Sequence, residues 1–188
     1  MKGQKYDTPT TPPIPKRLMV VGSPRSGTHF ITTLLNLFGM RVSHERMGED
    51  GIVNAAWLAM RKPNDALINP MGRQHYEFDR IIHLVRNPLD TIGSLQCEMT
   101  PIWWEWQKFH TNVEITDPSD LEKVAAFWVC WTDGCQRLAD ASIKLEHIRH
   151  LGQPEGVGVA ARSEVKIHDL GAMQETVEQR MEFYGYKQ

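Results

Sequence analysis

This chain of 188 residues is poor in three features, and each shortage removes a class of protein. Cysteine is limited to Cys97, Cys130 and Cys135. The number is odd and no C-x-x-C pair occurs, so neither a disulfide framework nor a zinc knuckle is expected, and a reducing compartment fits. No apolar run approaches the roughly 18 residues that span a bilayer, and the opening MKGQKYDTPTTPPIP lacks the apolar core of a signal peptide. A soluble, cytoplasmic protein with no membrane partner is the expectation. The net charge is only −2, which gives no electrostatic footprint for nucleic acid.

What is present reads as one globular domain. The chain is too short for two full cores, and 41% hydrophobic and 23% charged residues exclude wholesale disorder, collagen and a coiled coil. Residues 1–16, with four prolines between Pro9 and Pro15, read as a disordered Pro/Thr-rich tail, so the domain is expected to run from Arg17 to Gln188. Charge is uneven: residues 16–62 hold seven Lys or Arg against Glu45, Glu49 and Asp50, which fits either a solvated face or an anionic ligand.

Leu18–Val21 is a short apolar run ended by Gly22, as in a buried parallel strand. Apolar residues then recur at helical spacing from Phe30 to Phe38, and Gly39 closes that helix. The pattern predicts further strands at Met40–Ser43, Asp79–Val85 and Ser142–Leu145. It predicts helices over 90–109, kinked at Pro101, over 118–139, capped by Asp117 or Ser119, and over 176–184. Residues 152–164 read as a glycine-rich loop. Strands alternating with helices imply an α/β three-layer sandwich with a mainly parallel sheet, which binds ligands at the carboxyl ends of its strands.

Two motifs fall on such ends. Gly22-Ser23-Pro24-Arg25-Ser26-Gly27-Thr28-His29 joins the first strand to its helix, where backbone N–H groups and the helix dipole suit a phosphate. Its glycines have the separation of the nucleotide-triphosphatase loop, but Thr28 stands where lysine is required and His29 where the magnesium-holding hydroxyl belongs. The strand ending at Val85 is followed by Arg86 rather than a metal-holding acid, which disfavours an ATP-dependent phosphotransferase. The second motif, Arg86-Asn87-Pro88-Leu89-Asp90-Thr91-Ile92-Gly93-Ser94, pairs a guanidinium with a hydroxyl that together can hold one phosphate; the local alternative is a salt bridge from Arg86 to Asp90.

Together the two motifs resemble those of sulfotransferases that use 3′-phosphoadenosine 5′-phosphosulfate (PAPS). Pro24–His29 matches the family's 5′-phosphosulfate loop, P-[KR]-x-G-T-x, and Arg86–Ser94 matches its 3′-phosphate motif, R-[ND]-P-x-[DE]-x-x-x-S. The closing EFYGYKQ is similar to the end of bacterial members, and Leu145-Glu146-His147 stands in the place of their Tyr-Glu-Asp. Arg162, Lys166 and His168 fall where relatives place a basic closing loop. The resemblance implies a P-loop nucleotide-kinase-like fold and transfer of a sulfuryl group from PAPS to a hydroxyl or amine of a small-molecule or carbohydrate acceptor, leaving 3′,5′-bisphosphoadenosine. Pro24, Arg25, Ser26, Gly27, Thr28 and His29 would hold the 5′ end of the donor, Arg86 and Ser94 its 3′-phosphate, and no metal is required. A non-catalytic nucleotide-binding relative is the remaining alternative.

The acceptor must lose a proton as it attacks, so a base is needed near the loop. The family places a His or Glu at a strand end there, which points to His44-Glu45, with Glu45 preferred and His44 second; Arg25 would stabilise the leaving phosphate. Trp128 and Trp131, three apart on a helix, read as core. Trp103, Trp104 and Trp106 cannot all face one way, so core packing is weighed against an aromatic wall for an acceptor. His75, His83, His110, His147 and His150 show no metal-ligand spacing.

Overall fold

The computed structural model describes residues 12–54, 76–98, 100, 108, 111–117, 119–149, 151 and 163–186. The expectations for Trp103, Trp104, Trp106, His75, His110, His150, Arg162 and the kink at Pro101 fall outside them.

The fold is α/β. Five strands, β1 (Ile14–Gly22), β2 (Val42–His44), β3 (Gly51–Asn54), β4 (Tyr76–Val85) and β5 (Ala141–Lys144), form one sheet in the order β2-β3-β1-β4-β5. Every pairing in it is parallel. The helices are α1 (Thr28–Leu37), α2 (Pro88–Glu98), α3 (Leu121–Leu138), α4 (Leu145–Arg149) and α5 (Gln174–Phe183), with a 3₁₀ segment at Ile167–Met173. Among the described residues no helix is long and apolar enough to cross a membrane.

Alternation along β1 divides the core. Met19 and Val21 point to the face covered by Ile92 and Leu95 of α2, by Phe127, Trp128 and Trp131 of α3, and by Val177 and Met181 of α5. Val20, with Val53 and Leu84, points to the opposite face, covered by Phe30, Ile31 and Leu34 of α1 and by Leu145 and Ile148 of α4. Helices therefore lie on both faces, as a sheet buried on both sides requires. Each fully buried side chain of this size contributes about 1.5–3 kcal/mol of transfer free energy.

Several boundaries move by one to three residues, as at β4, which begins at Tyr76 rather than Asp79, and at α2, which begins at Pro88 rather than Asp90; three further differences bear on the architecture. β1 begins at Ile14 rather than Arg17, pairing Ile14 with Tyr76 and Lys16 with Phe78, so residues 14–16 belong to the sheet and not to a tail. Pro15 is accommodated because β3 joins β1 only from Leu18 onward, so the strand has a single neighbour where the prolyl N–H is missing. β3 was not foreseen, and it separates β2 from β1. The cap of α3 is Asp120, whose Oδ1 accepts from Lys123 N at 3.2 Å, while Asp117 Oδ1 accepts from Ser119 N at 2.8 Å in the preceding turn.

This topology fixes where a ligand can sit. From β1 the chain passes through α1 to β2 on one side, returns at β3, and then crosses to β4 on the other side of β1. The carboxyl ends of β1 and β4 thus flank the point where the order of winding reverses, the crevice where open α/β sheets bind ligands.

Candidate functional site

The loop after β1 is a close-packed turn. Arg25 (φ 69°) and Gly27 (φ 97°) both lie in the left-handed region, and Ser26 N donates to Ser23 O at 3.1 Å. Gly22 is needed for close contact, and Gly27 for both close contact and its left-handed φ. A Cβ on Gly22 would lie 2.5 Å from Ser26 Oγ and 2.8 Å from Leu84 O, and one on Gly27 would lie 2.6 Å from Leu145 Cδ2. Trp131 Nε1, buried in the core, donates to Gly22 O at 3.2 Å and props the start of the turn. Ser23, Pro24, Ser26 and Thr28 are buried, whereas His29 is exposed.

Gly27 is the N-cap of α1 and provides no side-chain acceptor, so the first-turn N–H groups have no capping side chain and no intrahelical partners. Ser26 Oγ is buried without a hydrogen-bond partner among the described residues. Such a turn offers a row of donors to an anion.

The loop after β4 is built by its own sequence. Asn87 Oδ1 accepts from Leu89 N at 3.0 Å and from Asp90 N at 3.3 Å, making Asn87 the cap of α2, and Pro88 takes the first helical position where no N–H is missed. Arg86 is 6% exposed and Ser94 0%. The salt bridge weighed for Arg86 is marginal, since Nη2 stands 3.9 Å from Asp90 Oδ2.

The two motifs meet. Arg86 Nη1 donates to Arg25 O at 2.9 Å, and Arg25 Nε donates to Ser94 Oγ at 3.1 Å, although Arg25 and Ser94 are 69 residues apart. The second motif therefore holds Arg25 at both its carbonyl and its side chain. Both arginines belong to loops at the carboxyl ends of the adjacent strands β1 and β4, an arrangement suited to a ligand with more than one negative group.

β2 brings His44 to the same turn. His44 Nε2 and Thr28 Oγ1 share a hydrogen bond of 2.9 Å, and the His29 ring stacks on His44 with centroids 3.7 Å apart. Burial pushes the His44 imidazole down to about 4, and the neighbouring His29 adds to the shift, so His44 is neutral at pH 7. Glu45 is exposed at the next position in a left-handed turn (φ 55°), its N–H bonded to Val53 O at 2.9 Å. Among the described residues no hydrogen bond or ion pair joins its carboxylate to the loop. Of the two candidates, His44 is the one in contact.

Lys166 and His168 are exposed, and His168 Nε2 lies 3.5 Å from Asp169 Oδ1. The chain just before them docks on α2, where Ser163 N donates to Gly93 O at 3.2 Å, one residue from Ser94. Sequence reasoning missed the roles of Trp131, Leu145 and Glu146 in supporting the two loops. Only the glycines at 22 and 27 marked, from the chain alone, that something must approach closely there. No protein-family model matches the chain, and no curated protein matches it.

Proposed function

We propose that the protein is a PAPS-dependent sulfotransferase of the P-loop nucleotide-kinase-like class, acting on a hydroxyl or amine of a small-molecule or carbohydrate acceptor. One observation carries the reading: the turn after β1 and the loop after β4 interlock through Arg25, Arg86 and Ser94, so that two phosphate-type motifs share one edge. The residues present fit such a donor. The uncapped start of α1, the buried and unpartnered Ser26 hydroxyl and Arg25 suit its 5′ end, while Arg86 and Ser94 suit its 3′-phosphate.

When bound, PAPS supplies a sulfuryl group on a phosphate leaving group. The chain's own residues then have two tasks. The loop N–H groups and Arg25 stabilise the negative charge that develops on the phosphate oxygen. The base holds the acceptor's proton, and we assign it to His44, which touches Thr28, with Glu45 second. His44 is a weak base in the free protein, but an anion beside it favours its charged form and raises it toward neutrality.

The test is calorimetric binding of 3′,5′-bisphosphoadenosine against 5′-AMP, ADP and ATP, with EDTA present. A hydrogen bond to a charged group contributes roughly 1.5–3 kcal/mol, so the bisphosphate should bind about 10- to 1,000-fold more tightly than 5′-AMP. Ser94→Ala should narrow that preference. Arg86→Ala should weaken both ligands, because Arg86 also holds the Arg25 carbonyl. Equal affinity for the bisphosphate and 5′-AMP would remove the sulfotransferase reading. ATP binding that appears only with magnesium would point to a phosphotransferase, and selective bisphosphate binding without transfer to any acceptor to a non-catalytic relative.

A further inference from the structure

The residues that end the described chain reach back to the loop after β4. Tyr184 terminates α5; Gly185 follows at φ 69°, and its N–H donates to Glu182 O at 2.8 Å while Tyr186 N donates to Met181 O at 2.8 Å. This pair of bonds is the Schellman closure of a helix, and it requires the left-handed residue that glycine supplies. Lys144, at the end of β5, fastens the turn by donating from Nζ to Gly185 O at 2.9 Å, with Nζ 4.6 Å from the Tyr186 ring centroid.

So held, Tyr186 Oη donates to Glu146 Oε2 at 2.7 Å, and the other carboxylate oxygen, Glu146 Oε1, accepts from the backbone N–H of Asn87 at 3.0 Å. Asn87 immediately follows Arg86 and caps α2, so its N–H lies outside the helical ladder and needs an external acceptor. Burial pushes the Tyr186 hydroxyl up, and its bond to Glu146 pushes it further, so it remains a donor at neutral pH.

We infer that Glu146 and Tyr186 are positioning residues: they brace the backbone at Asn87 and thereby aim Arg86 at the second phosphate of the ligand. The inference rests on the proposed bisphosphate site and extends it to two residues outside both motifs. Both side chains act through the Asn87 backbone. Because Arg86 also holds the Arg25 carbonyl, both ligands feel a loss of the brace, and the ligand with the 3′-phosphate feels it more.

The measurement is the ratio of 5′-AMP to 3′,5′-bisphosphoadenosine dissociation constants in the wild type, Glu146→Ala, Glu146→Gln and Tyr186→Phe, together with hydrogen exchange at the Asn87 amide and the melting temperature. Loss of a bond to a charged acceptor is worth about tenfold or more, so Glu146→Ala should cut the ratio by about 10-fold and speed exchange at Asn87. Glu146→Gln keeps a carbonyl that accepts the Asn87 N–H and should retain the ratio to within about 3-fold; Tyr186→Phe should fall between. If Glu146→Ala does not fold, Tyr186→Phe, which removes one half-buried oxygen, carries the same comparison. A high wild-type ratio that Glu146→Ala and Tyr186→Phe leave unchanged overturns the inference, as does an equal loss of affinity for both ligands, the mark of a purely structural role. A wild-type ratio near one overturns the site reading itself, which separates the two failures.

Discussion

Acidification should destabilise this protein well above the range in which carboxylates titrate, and His83 is the main reason. The residue sits on β4 opposite Val21, 1% exposed, with Nδ1 3.4 Å from Ser142 Oγ and its ring edge-on to Tyr184 at 5.8 Å. Burial pushes its imidazole down to about 4, a shift that the nearby Asp133 only partly offsets. The folded state keeps His83 neutral, while the unfolded chain takes up the proton near pH 6.5, so stability is full above pH 6.5 and falls as the pH drops toward 4. The slope for one group is about 1.4 kcal/mol per pH unit, which integrates to about 3 kcal/mol across that window before levelling below pH 4. His44 titrates over the same window with a smaller effect, because it is only partly buried and solvent screens it. Urea unfolding at half-unit intervals from pH 7 to pH 4 should show this decline, and His83→Leu should flatten most of it. Parallel stability curves for wild type and His83→Leu would refute the reasoning.

Four further outcomes are expected. Gly51→Ala places a methyl group against the Leu18 carbonyl in the β1–β3 ladder and should cost about 3 kcal/mol or more in urea unfolding, at the upper end for overpacking. Gly27→Ala combines φ 97° with a clash on Leu145 and should weaken bisphosphate binding as well as lower stability by about 1–3 kcal/mol. Truncation to Arg17 removes the Ile14–Lys16 ladder and the bonds from Lys16 Nζ to Gly48 O and Glu49 O, and should lower the melting temperature by several degrees, about 2–4 °C for each kcal/mol lost. Once an acceptor is known, His44→Ala should lose about 10²–10⁴ in turnover and Glu45→Gln much less, and the acid limb of kcat/KM should lie near the free-protein value of His44, about 4.

The chain by itself determined the features that are local. A run of β-branched and apolar residues ended by Gly22, helical spacing after Thr28 and closure at Gly39 were legible because each follows from backbone propensity and alternation within a few residues. Arg86 was legible at a strand end, whereas α2 was read as opening at Asp90, two residues late, because the cap that Asn87 provides ahead of Pro88 was passed over. The motifs, too, could be read as phosphate-type turns, since a glycine turn before a helix needs no distant partner to present its N–H groups.

Only the tertiary structure decided what depends on parallel pairing. β3 is four residues whose partners, Leu18 to Val21 and Val42 to His44, lie elsewhere in the chain, so no periodicity announces it. Ile14–Lys16 joined the sheet although Pro15 and the prolines before it read as a tail, because Tyr76–Phe78 supplies the ladder. Which of His44 and Glu45 touches the loop after β1 was likewise a tertiary matter: His44 bonds to Thr28, and the left-handed backbone at Glu45 follows it. The grip of Arg86 and Ser94 on Arg25, and the reach of Tyr186 to Glu146 beside Asn87, are contacts between segments 40 to 69 residues apart. Sequence patterns encode which residues can make such bonds; the order of the strands in the sheet decides which of them meet.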